Sequence, residues 1–145
     1  FIAQAASLEL EAERTYRRLA DCLLAHGKQD AGDFFLEMAD FSRLHRESIV
    51  GRGGLPDGET PHSRAAAARA IHETEVPDWS AVTAECDLDG AMKLALAAEH
   101  RGVVFYESFA RVTSDPAVRS LAEDCAREER GHVLALERFM GIKPY

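Results

Sequence analysis

A chain of 145 residues, 46% of them hydrophobic, is long enough for one ordinary domain around a single core. No uninterrupted apolar run approaches the ~18 residues of a membrane span, and a formal net charge of −8 argues against nucleic acid as a partner. The opening residues, Phe1 to Ala6, lack the basic leader and long apolar core of a signal peptide and read as a helix already under way. Cys22, Cys86 and Cys125 are odd in number, widely spaced and without a Cys-x-x-Cys pair. They indicate neither a disulfide framework nor a thiolate zinc site, so a reducing cytoplasm is the expected compartment.

In chain order, Ile2, Ala5, Glu9, Ala12, Tyr16, Leu19 and Leu23 form a heptad-like stripe, and Gly27 supplies the stop. A second helix is expected from Asp30, a reasonable N-cap, to Gly51, with Phe35, Met38, Ser42, His45 and Ile49 facing inward. Residues 52 to 86 break the pattern. Gly53-Gly54-Leu55-Pro56-Asp57-Gly58 is turn chemistry, Thr60-Pro61 can start a short helix through the alanines at 65 to 68, and Pro77 ends another piece. This stretch reads as a long crossover with one or two short helices, and Trp79 as a seal on the bundle.

A third helix is expected from Asp87 or Asp89, with Met92, Ala95, Glu99, Gly102, Tyr106 and Phe109 inward, ending before Thr113-Ser114. Asp115-Pro116 is an N-cap followed by proline in the first turn, so a fourth helix starts there and runs to Met140, where Gly141 stops it. Its inward stripe is Val118, Ala122, Cys125, Glu129, His132, Leu136 and Phe139. No segment shows a sustained strand pattern. Four helices, two short connections and a long crossover between helices 2 and 3 predict an all-α, ferritin-like four-helix bundle in one domain.

Polar residues occupy the middle of every stripe. Glu129 and His132 stand three apart, on one helix face, inside a stripe that should be buried. A buried carboxylate without compensation costs several kcal/mol or shifts its pKa, and a metal ion is the natural counterpart. The two halves of the chain also repeat. Glu9 precedes Tyr16 by seven residues and Glu99 precedes Tyr106 by seven, while His45 and His132 take matching places on the next helix. Helical rise puts Glu99 and Glu129 about 20 Å from the Ser114 turn on either side, so these side chains should meet in one layer at mid-bundle.

This pattern resembles the rubrerythrin-like, ferritin-like di-iron carboxylate proteins, which place a Glu on each of two helices and a Glu-x-x-His on each of the other two. The resemblance covers nearly the whole chain. It implies metal ligation by Glu9, Glu99, Glu129, His132 and His45. The departure is Ser42, which stands where the family carries a bridging glutamate three residues before the histidine. Three carboxylates and two histidines remain, with water, Ser42 or a swung-in Glu13 to fill the gap. Gly102 stands where rubrerythrins carry a further glutamate. Without Cys-x-x-Cys pairs there is no rubredoxin-type centre, so a redox-active protein needs an external electron donor.

The resemblance implies a dinuclear iron centre, incomplete at Ser42, with manganese as the other candidate, reacting with peroxide or dioxygen in a homodimer. A second reading is an iron-binding or storage protein, or an assembly subunit, whose site does not turn over. A third is a structural bundle with a vestigial site. Taken singly, Tyr16 and Tyr106 read as core residues bonded to the carboxylates. Met38 and Met92 read as packing, Cys125 as core filler, and His26, His62, His72 and His100 as histidines that need no function.

Overall fold

The computed structural model describes residues 1–53 and 86–141. The fold class is all-α, a bundle of four long helices, with no strand among the described residues. The helices are α1 (Ile2–Ala25), α2 (Gln29–Arg52), α3 (Leu88–Val112) and α4 (Pro116–Phe139). The expected crossover helices between residues 54 and 85, with Trp79, His62 and His72, lie outside the described residues. The chain divides into two compact units, Phe1–Cys86 and Asp87–Tyr145. Among the described residues no helix is long and apolar enough to cross a membrane.

In the first unit α1 and α2 form a tight antiparallel hairpin. Gly27 has φ +72°, a left-handed conformation that costs an L side chain about 1–2 kcal/mol. There the Gly27 and Lys28 amides donate to the Leu24 and Leu23 carbonyls at 3.0 and 2.9 Å, a Schellman closure of α1. The closure hands the chain over so quickly that α2 starts at Gln29, before the Asp30 cap expected from sequence. Asp30 lies instead in the first turn of α2, where its charge suits the positive end of the helix dipole. Near this end a Cβ on Gly32 would lie 2.4 Å from Leu24 Cγ, and at the far end one on Gly53 would lie 2.6 Å from Ile2 Cγ2. The two helices are therefore in close contact along their whole length. Between these points Tyr16 stacks on Phe35, ring centres 5.8 Å apart, in a core with Leu19, Leu23, Met38 and Ile49.

One sequence expectation is corrected in this unit. Cys22 and Cys86, 64 residues apart, are joined in a disulfide, with Cα atoms 5.9 Å apart. Cys125, which is buried, takes no part in this disulfide. The pairing escaped the sequence reading because cysteine spacing carries no signal for a contact closed by a long loop. It also removes the ground on which a reducing compartment was expected.

The second unit is likewise a hairpin with sharply capped ends. Asp87 accepts from the Gly90 amide at 3.1 Å to begin α3. Asp115 accepts from the Ala117 amide at 2.8 Å, with Pro116 in the first turn of α4. The Asp115 cap is the one expected from the sequence, and of the two starts left open for α3, Asp87 is the cap while Asp89 lies in the first turn. The buried side of α4 is Leu121, Ala122, Cys125, Ala126, Glu129, His132, Val133 and Leu136. Phe139 is 38% exposed rather than inward, because it is the last residue of α4 and the stripe ends with the helix.

Candidate metal centre

The polar residues of the four stripes are buried as their positions demand. Glu9 is 2% exposed, Glu99 and Glu129 4%, and His132 8%, while His45 is half-buried. Each hairpin builds its own cluster.

In α3, Met92, Ala95, Gly102 and Tyr106 are buried together with Glu99. Across the hairpin His132 Nδ1 donates to Glu99 Oε2 at 3.2 Å and stands 3.8 Å from Glu129 Oε2. Burial works against charge on this imidazole, but the hydrogen bonds and negative charges of Glu129 and Glu99 outweigh it. The His132 pKa rises from 6.5 to about 10. The proton on Nδ1 therefore occupies a point on which two buried carboxylates converge, a point suited to a cation.

Gly102 belongs to this geometry. A Cβ there would lie 3.1 Å from Glu129 Oε2 and 3.3 Å from its Cδ, so the missing side chain makes room for the carboxylate. The expected result of Gly102→Ala is a metal-free protein at least as stable as the parent, since Ala is favoured over Gly in a helix by about 1 kcal/mol. Metal affinity should nevertheless fall about tenfold, as the carboxylate is pushed aside. Thermal unfolding and metal titration check the two halves separately, and unchanged affinity would show that Glu129 does not need this space.

The first hairpin repeats the arrangement with one member missing. His45 Nδ1 stands 3.8 Å from Glu9 Oε1, the counterpart of the His132 and Glu99 pair. Where α4 supplies Glu129, α2 supplies Ser42, which is 2% exposed. Glu13 is not the substitute considered for it. Its Oε1 accepts from Arg17 at 3.3 Å and its Oε2 from Arg46 at 3.0 Å, so both oxygens serve an ion-pair network that extends from Arg17 to Asp40.

The structure thus brings Glu99, Glu129 and His132 together in one unit and Glu9 with His45 in the other. The donor set, carboxylate oxygens with imidazole Nδ1 and no thiolate, fits a hard or borderline divalent ion such as iron or manganese. The sequence reading missed the environment of His26, whose ring nitrogen gathers with the sulfurs of Cys22 and Cys86. The available signal was Cys22-x-x-x-His26, an i, i+4 spacing that places two donors on one helix face.

No protein-family model and no curated protein matches the chain. A crystal structure at 2.00 Å from Magnetospirillum magnetotacticum MS-1, of a protein described as an uncharacterized conserved protein, is similar throughout. It is 30% identical, with a TM-score of 0.76 over 100% of this chain and 94% of that one.

Proposed function

We propose that this chain, which belongs to the same family as the uncharacterized Magnetospirillum protein, is a ferritin-like metal-binding oxidoreductase that uses bound iron to reduce peroxide or dioxygen. The observation that carries the reading is the repeated pairing of a histidine Nδ1 with the glutamate of the preceding helix, at 3.2 Å for His132 and Glu99 and 3.8 Å for His45 and Glu9. Burying three carboxylates is expensive in a protein that gains nothing from them.

In this reading Glu9, Glu99, Glu129, His45 and His132 would hold iron, with the three carboxylates offsetting its charge. Bound iron would supply the electrons that reduce the oxidant. His132 starts as the imidazolium and must release its Nδ1 proton before that nitrogen can ligate. Glu99 Oε2, 3.2 Å away, is placed to receive it. Met92, Tyr106 and Leu136, all buried, keep bulk water from this side of the cluster. The rubrerythrin-like resemblance implies two irons per chain. The reading takes the protein to be a homodimer served by an external electron donor.

A second reading, a binding or storage protein without turnover, is favoured by Ser42. Its neutral hydroxyl takes the place of a bridging carboxylate and lowers the negative charge available to a second ion. The separating experiment is metal content per chain by elemental analysis of protein purified without added metal, for the parent and for Ser42→Glu. About two irons per chain in the parent, with stopped-flow oxidation of bound Fe(II) by peroxide, is the expected result for the oxidoreductase. One metal in the parent, rising to two in the variant, would move the function to binding or assembly. A parent that takes up no metal at all would sink both.

A further inference from the structure

A second group of donor atoms lies at the closed end of the α1–α2 hairpin. Cys22 Sγ, Cys86 Sγ and a ring nitrogen of His26 all lie within 4.8 Å of one another. Cys22 and His26 are one helical turn apart at the end of α1, so both project on the same side. The Schellman turn that follows carries Lys28, whose ammonium donates to the Cys86 carbonyl at 2.7 Å and fixes that backbone beside α1. Cys86 itself has φ 49°, a left-handed conformation that non-glycine residues rarely adopt and that tends to occur where a side chain must be aimed.

His26 is oriented as metal-binding histidines usually are. Its Nδ1 lies 2.9 Å from the Cys22 carbonyl oxygen. A carbonyl can only accept, so Nδ1 carries the proton and the lone pair is on Nε2, the tautomer that leaves a nitrogen for an ion. Around a tetrahedral zinc, sulfur at about 2.3 Å and nitrogen at about 2.0–2.1 Å put neighbouring donor atoms about 3.5–3.8 Å apart, a separation that the two sulfurs can take once the bond between them is reduced. Two thiolates with one imidazole are a soft donor set, unlike the carboxylate and imidazole groups around Glu99 and Glu9. The described residues supply three ligands, and water can take the fourth position.

We propose that Cys22, Cys86 and His26 form a redox-gated zinc site, which binds one zinc ion per chain as the dithiol and releases it as the disulfide. The gating step balances with hydrogen peroxide as oxidant. The two zinc-bound thiolates give up two electrons and form the S–S bond. The peroxide O–O bond breaks and, with two protons from solvent, leaves as two waters, and zinc departs as Zn²⁺. Cys22 is partly exposed and His26 exposed, so oxidant and metal can both reach the site.

The test uses the full chain, reduced and freed of reductant, with Co²⁺ as probe. Thiolate ligation gives an intense near-ultraviolet charge-transfer band that glutamate and histidine ligands do not, so the readout is independent of the iron reading above. The expected result is a band saturating at one Co²⁺ per chain, lost in Cys22→Ser and Cys86→Ser and retained in Cys125→Ser. After peroxide treatment the band should vanish as titratable thiols fall from three to one. His26→Ala leaves both thiols in place and should weaken zinc binding about tenfold or more in chelator competition. No band in the reduced parent, a band that survives Cys22→Ser, or unchanged zinc affinity in His26→Ala would overturn the site. Three thiols remaining after peroxide would overturn the gate.

Discussion

Replacing His132 by leucine is expected to destabilise the metal-free protein by about 3–5 kcal/mol, the usual effect of leaving buried charges without their partner. The substitution leaves Glu99 and Glu129, each 4% exposed, facing one another without the imidazolium between them. Burial disfavours the charge on His132, yet the hydrogen bonds and charges of Glu129 and Glu99 raise its pKa to about 10. A pKa raised by folding contributes stability that is fully present below the unfolded value of 6.5 and is lost as pH rises through about 10. Urea unfolding of the metal-free parent should therefore show stability declining across that window, and His132→Leu should lack this component. An ion that takes Nδ1 must displace the same proton. Metal binding at pH 7 should release it, with affinity rising about tenfold per pH unit toward pH 10. Calorimetric titration in buffers of different ionisation enthalpy counts the protons, and a count of zero would remove His132 from the ligand set.

Reducing the Cys22–Cys86 disulfide is expected to lower stability by about 4 kcal/mol. The bond closes a loop spanning 64 residues of sequence, and chain entropy in the unfolded state grows with the logarithm of that length. The closed loop begins within α1 and ends at Cys86, so the bond restrains the first unit of the chain. Denaturant midpoints of the parent with and without reductant, beside Cys22→Ser and with Cys125→Ser as control, measure the effect. A loss below about 1 kcal/mol would mean that the unfolded chain is already restricted in this region. Zinc added to the reduced parent should recover part of the loss, because a ligand that binds only the folded form stabilises it.

How far the sequence carried can be judged residue by residue. Gly27, Asp87, Asp115-Pro116 and Gly141 marked helix ends correctly, because caps and left-handed turns are decided by a residue and its neighbours within one turn. The start of α2 lies ahead of Asp30 because the Schellman turn over Leu23 to Lys28 ends directly at Gln29, so the second helix begins there. Cys22 and Cys86 were judged apart because nothing local relates residues 64 positions distant.

The sequence by itself determined four amphipathic helices and the presence of a carboxylate or imidazole in the middle of each, because a period near 3.6 converts spacing directly into a shared face. Only the tertiary structure decided which atoms meet across the hairpins. His132 Nδ1 meets Glu99 Oε2, Glu129 lies against the bare Cα of Gly102, Glu13 is held by two arginines, and Cys86 reaches Cys22 beside His26. These pairings depend on the register between helices and on loop closure, which are governed by packing over many residues and have no counterpart in the period of any single helix.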